Sequence, residues 1–183
     1  MIHLIKEYLF NIISIFCCIG IFISQSVGES ENIEKTGDIL QVLIPAIGLG
    51  STILYEENLN GTKQFFKSLV TTQLITESLK IVTKKQRPNG ECCKSFPSGH
   101  TSSAFMGAAF IHERFGWEYS IPAYVGATFV GYSRVQAEKH FVEDVVAGAA
   151  LGILSSFYFT NPYKGFVLDI TVTNGIYELY LSQ

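Results

Sequence analysis

The chain has 183 residues, of which 48% are hydrophobic and 16% charged, enough apolar surface for one folded domain and too much for a disordered segment. A formal net charge of −3 leaves no global basic field, which argues against a nucleic-acid partner. The four cysteines form two adjacent pairs, Cys17-Cys18 and Cys92-Cys93, a spacing that suits neither a zinc site nor a disulfide framework.

The first segment is apolar from Tyr8 to Val27 and follows a single early lysine. About 20 apolar residues cross a bilayer, so residues 1–28 read as a transmembrane helix or as a signal peptide with Ser24 and Ser26 near its end. Both readings take the chain to a membrane or beyond it. Residues 37–55 are uniformly apolar and open with Asp38, a natural N-cap. Residues 62–84 carry a polar stripe through Thr72, Thr76 and Lys80 or through Gln73, Glu77 and Lys80. Three more helical stretches follow at 97–116, 118–134 and 144–159, rich in Gly, Ala and Ser, as tightly packed membrane helices are.

The tail, 166–183, alternates and contains Asn174-Gly175, a two-residue hairpin signal that sets Val172 opposite Tyr177. The expectation is an all-α bundle of five to six mostly transmembrane helices with a short C-terminal β-hairpin. Residues 37–160 form the bundle domain, flanked by 1–28 and by the tail 161–183. A mean hydropathy of only +0.27 keeps a soluble helical protein as the alternative.

Against this apolar background the ionisable groups collect in three places. Lys80, Lys84, Lys85, Arg87 and Lys94 lie within fifteen positions, and Lys84, Lys85 and Lys94 read as solvated loop. Pro97-Ser98-Gly99-His100 stands where a helix begins: Ser98 is a natural cap, Gly99 lets backbone approach a ligand, and a helix N-terminus attracts anions. Arg134, His140 and Asp144 sit just ahead of an apolar helix. On a helix His140 and Asp144, at i and i+4, share one face, so the carboxylate could take a proton from one ring nitrogen and leave the other free to attack. His100 could protonate a departing alkoxide. Lys80, Arg87 and Arg134 supply positive charge for phosphoryl oxygens. No acidic cluster suits a two-metal site, so no metal and no cofactor are expected.

Together Lys-x6-Arg-Pro, Pro-Ser-Gly-His and Ser-Arg-x5-His-x3-Asp resemble the signature of the type 2 phosphatidic acid phosphatase family, whose superfamily includes class A acid phosphatases and vanadium haloperoxidases. The resemblance covers roughly residues 37–160. It implies a metal-independent phosphatase in which His140 attacks phosphorus, Asp144 orients it and His100 protonates the leaving group. Lys80, Arg87, Ser98, Gly99 and Arg134 would hold the phosphate.

The implied substrate is a lipid phosphate of the phosphatidic acid, phosphatidylglycerophosphate, polyprenyl pyrophosphate or lipid A type. The implied place is the cell (inner) membrane, multi-pass, with the site on the extracytoplasmic face. Counting Lys and Arg in the loops 84–97 and 134–144 points the other way, to the cytoplasm. The alternatives are a soluble periplasmic acid phosphatase of the same superfamily and a non-enzymatic membrane protein that binds or transports anions.

Overall fold

The computed structural model describes residues 29–163, 168–173 and 176–181. Five helices make up its helical part: α1 (Glu29–Tyr55), α2 (Asn60–Thr83), α3 (Gly99–Phe115), α4 (Trp117–Gln136) and α5 (Val142–Phe159). The proposed N-terminal helix, 1–28, lies outside the described residues. Leu168–Thr173 (β1) and Ile176–Leu181 (β2) run antiparallel with Val172 against Tyr177. The connection 164–167, the turn at Asn174-Gly175 and all side chains of this tail lie outside the described residues.

α3 is the central helix and packs against the other four. Its Ala104, Met106, Ala108, Ala109 and Phe110 are fully buried. One apolar cluster joins Ala104 and Ala108 to Ile44 of α1 and to Ala127 and Val130 of α4. A second joins Met106 and Phe110 to Phe65 of α2. Small residues set the spacing between helices. A methyl group added at Gly148 of α5 would sit 2.5 Å from the Ser98 carbonyl oxygen, and one at Gly152 would collide with the Ser102 carbonyl. Gly107 is similarly close to the backbone of Pro45 in α1.

Beside these apolar clusters, the bundle buries small hydroxyl side chains and turns large apolar ones outward. Ser68, Thr72, Thr76, Ser102, Ser133 and Ser156 are buried. Their hydroxyls bond across helices, as Ser156 does to the Met106 carbonyl at 2.8 Å, or back into their own turn, as Thr72 does to the Ser68 carbonyl at 2.8 Å. Meanwhile Phe66, Val70, Leu74, Ile121, Val125, Val146 and Leu154 face outward. Water-soluble bundles place these classes the other way round; small polar residues between helices are the pattern of bilayer packing. Residues 31–55 and 142–159 are long and apolar enough to cross a membrane, and only 28% of either span's window is buried by the rest of the chain, unlike the core helix of a soluble protein.

Two corrections concern helix starts. α1 begins at Glu29, so Asp38 lies mid-helix and caps nothing. α5 begins at Val142, and Phe141 before it is extended, so His140 and Asp144 do not lie on one helix. The other starts follow local chemistry. Ser98 caps α3, its side chain accepting from the Thr101 N–H. Lys84 ends α2 in a left-handed conformation. Gly116, at φ +103°, supplies the turn between α3 and α4 that a side chain would strain.

At one end of the bundle Arg114 donates to Glu56 through Nε (2.8 Å) and Nη2 (2.6 Å) and to the Asn161 carbonyl through Nη1 (2.7 Å), tying the α1–α2 turn to the C-terminal ends of α3 and α5. The ionisable cluster lies at the opposite end, where the loops 84–98 and 137–141 meet and the Asn89 N–H donates to the Glu138 carbonyl.

Candidate active site

The site begins at the N-terminus of α5. Asp144, in its first turn, is fully buried, and its carboxylate reaches back to the Phe141 N–H at 3.0 Å, one half of a capping box. Asp144 Oδ2 also accepts from Ser95 Oγ at 2.5 Å, and Oδ1 accepts from Lys85 Nζ at 2.7 Å. Three donors thus offset the desolvation of a buried charge. Lys85 also donates to Glu143 Oε1 at 2.7 Å and lies 4.4 Å from the centre of the Phe141 ring.

His140 is buried, and its Nδ1 lies 2.6 Å from the Ser95 carbonyl oxygen. A carbonyl only accepts, so Nδ1 carries the proton and, in the neutral ring, Nε2 keeps its lone pair. The expected direct bond to Asp144 is not made: Nδ1 and Oδ2 are 3.9 Å apart. Ser95 joins them instead, accepting from the imidazole through its backbone and donating to the carboxylate through its side chain. Burial pushes the His140 pKa down to about 4; the Ser95 carbonyl and Asp144 oppose this, while Arg87 and Lys80 add to it. The ring is therefore neutral at physiological pH.

A second group sits where α1, α3 and α4 meet. Arg134 is buried and spreads its guanidinium over three acceptors: Asp38 Oδ1 (2.8 Å), the Glu34 carbonyl (2.7 Å) and Ser133 Oγ (3.1 Å). Asp38 Oδ1 also lies 3.2 Å from His100 Nε2. Gly37 permits this approach, since a methyl there would overlap Ser133.

Lys80 connects the two groups. Its charge lowers the pKa of both His100 and His140. It pairs with Glu77 at 2.8 Å, and its Nζ would lie 2.9 Å from a methyl added at Gly99. Arg87 donates to Glu91 Oε2 at 2.5 Å, while its Nε is buried without a hydrogen-bond partner. Ser98 is fully buried, with its N–H donating to the Asp144 carbonyl at 2.9 Å and its hydroxyl 2.9 Å from that of Thr101. Ser98 thus docks α3 on α5, and the next N–H groups, those of Gly99 and His100, start the helix where no intrahelical acceptor exists.

All eight residues singled out in the sequence lie at this end of the bundle. Three others were missed or misread. Ser95 lies in an irregular loop with no periodicity to mark it. Lys85 looked like solvated loop, and Asp38 like a cap. Among the described residues no group of three or more His, Cys, Asp or Glu side chains could hold a metal ion.

The chain is similar to several known proteins. A stretch of 72 residues is 44% identical to the lipid A 1-phosphatase of Porphyromonas gingivalis, covering 37% of this chain and 16% of that protein. A longer match, 29% identical over 153 residues, covers 77% of this chain and 76% of the lipid A 4'-phosphatase of Helicobacter pylori. In fold, the chain is similar to the crystal structure of Aquifex aeolicus LpxE, with a TM-score of 0.55 and 22% identity over 66% of this chain and 83% of that one. The sequence model of the PAP2 superfamily matches residues 62–165, from α2 past the end of α5 and through every residue of the site except those on α1; the chain belongs to the PAP2 superfamily.

Proposed function

We propose that this chain is a membrane phosphatase that hydrolyses a lipid phosphate through a phosphohistidine on His140. The observation that carries the reading is the 2.6 Å bond from His140 Nδ1 to the Ser95 carbonyl, which leaves Nε2 as a free nucleophile on a neutral ring among cations. Lys80, Arg87, Arg134 and the N–H groups of Gly99 and His100 hold the phosphoryl oxygens and stabilise charge as it develops. Nε2 forms a bond to phosphorus while the phosphorus–oxygen bond to the lipid breaks. His100 gives its proton to the departing oxygen. A water then attacks phosphorus, His100 takes the proton back, and the phosphorus–nitrogen pair returns to Nε2.

The outward-facing apolar side chains favour a multi-pass membrane protein over a soluble periplasmic phosphatase. The reading includes a cell-membrane location, with the site on the extracytoplasmic face as the family resemblance implies. The names of the two bacterial relatives make lipid A phosphates the first substrates to try, followed by phosphatidic acid, phosphatidylglycerophosphate and polyprenyl pyrophosphate. The test is phosphate release from these lipids by the purified full chain in detergent micelles. Turnover that disappears in His140→Ala supports the reading; binding without release would make the protein an anion-binding module instead.

A further inference from the structure

Asp38 stands outside the family match, which starts at residue 62, yet it touches two groups of the site. One oxygen, Oδ1, lies 2.8 Å from Arg134 Nη1 and 3.2 Å from His100 Nε2. The placement is built rather than incidental. Gly37 brings α1 against Ser133 and Arg134, and the Glu34 carbonyl takes the other guanidinium nitrogen. We infer that Asp38 is a positioning residue for the reaction proposed above, holding His100 oriented and protonated as the proton donor to the leaving group. The inference rests on that reading of the site.

The groups facing His100 decide what Asp38 does. Arg134 comes from α4, and Lys80, with its partner Glu77, from α2. Arg87, His140 and Asp144, on the loops and α5, belong to the other group of the site, where Lys85 pairs with Asp144. Asp38, from α1, is the carboxylate in contact with the His100 ring. Burial, then Arg134 and also Lys80, hold the His100 pKa below its ordinary value, and Asp38 acts in the opposite direction. A general acid must still carry its proton when the phosphorus–oxygen bond breaks. With Nε2 turned to Asp38, Nδ1 is the nitrogen left to deliver it. The proton passes to the leaving oxygen, which keeps the bonding pair.

The test compares wild type, Asp38→Asn and Asp38→Glu in detergent micelles on dioctanoyl phosphatidic acid, whose leaving group needs a proton, and on p-nitrophenyl phosphate, whose leaving group does not. Asp38→Asn should cut kcat on the lipid about 10- to 100-fold at neutral pH, within the range for general acid catalysis. The loss on the aryl ester should be about tenfold smaller, because its departure draws little on the acid. The alkaline limb of the lipid reaction should move to lower pH, and Asp38→Glu should recover both. Equal losses on the two substrates with an unmoved limb would overturn the inference and leave a packing role. If wild type hydrolyses neither substrate, the phosphatase reading fails, and the His100 ring titration followed by NMR, assigned by its absence in His100→Ala, becomes the readout. A titration that moves to lower pH in Asp38→Asn would support the pairing, and an unchanged one would overturn it.

Discussion

Ser95 separates His140 from Asp144: its carbonyl accepts from the imidazole Nδ1–H at 2.6 Å, and its hydroxyl donates to the carboxylate at 2.5 Å. The carboxylate therefore acts on the proposed nucleophile through a loop, with 3.9 Å between ring and acid. Ser95→Ala keeps the carbonyl and removes the hydroxyl, so His140 keeps its tautomer while Asp144 loses a donor. The expected result is a fall in kcat of about tenfold, equivalent to ~1.4 kcal/mol, with KM little changed. Steady-state kinetics on a short-chain lipid phosphate would check this; an unaltered kcat would remove Ser95 from the relay.

Lys85 is the counter-charge to a fully buried carboxylate, and its side chain is 30% exposed. Lys85→Met leaves Asp144 with two neutral donors and should destabilise the fold by ~3 kcal/mol, the lower end for breaking a buried pair because Lys85 is partly hydrated. Thermal unfolding in detergent reads the loss. Lys85→Met combined with Asp144→Asn should recover most of the stability and little of the activity, since the charge acting on His140 is gone.

Gly148 couples packing to the site. Its neighbour across the seam is the carbonyl of Ser98, whose N–H bonds to the Asp144 carbonyl. Gly148→Ala should force α5 away from the start of α3 and cost about 1–3 kcal/mol, as overpacked interfaces do. Activity should fall along with it. Gly50→Ala, where an added methyl meets nothing within 4 Å, is the matched control and should behave as wild type.

The depressed pKa of His140 fixes a sign in the pH profile. Lowered from 6.5 to about 4, the imidazole stays neutral and nucleophilic until the pH approaches 4. The acid limb of kcat/KM, which reports the free enzyme, should therefore lie near that value rather than near 6.5. Arg87 is one of the cations lowering it. Arg87→Met should shift the limb to higher pH, besides weakening substrate binding.

The chemistry was more legible in the sequence than its wiring. Motif spacing led to Lys80, Arg87, His100, Arg134, His140 and Asp144, and the fold brings them to one end of the bundle. Ser98 was legible as a cap because its side chain bonds locally, within three residues. The His140–Asp144 bond was misread because the i, i+4 argument assumed an unbroken helix, whereas Phe141 is extended and ends it. Asp38 looked like a cap because the helix was taken to start near Gly37; that glycine is there for its close approach to Ser133, 96 positions along the chain and out of reach of any local pattern. Lys85 and Ser95 owe their importance to a carboxylate far along the chain, and nothing in their own neighbourhood announces it.

The central claim is covalent attack by His140, and trapping the intermediate tests it most directly. Purified wild type is mixed with a radiolabelled lipid phosphate in micelles, quenched in alkali within the first turnovers, and mapped by peptide. Label that is stable to alkali, labile to acid, located on the peptide containing His140 and absent from His140→Ala is the predicted result. Phosphate release at the wild-type rate by His140→Ala, or label on any other residue, would contradict it.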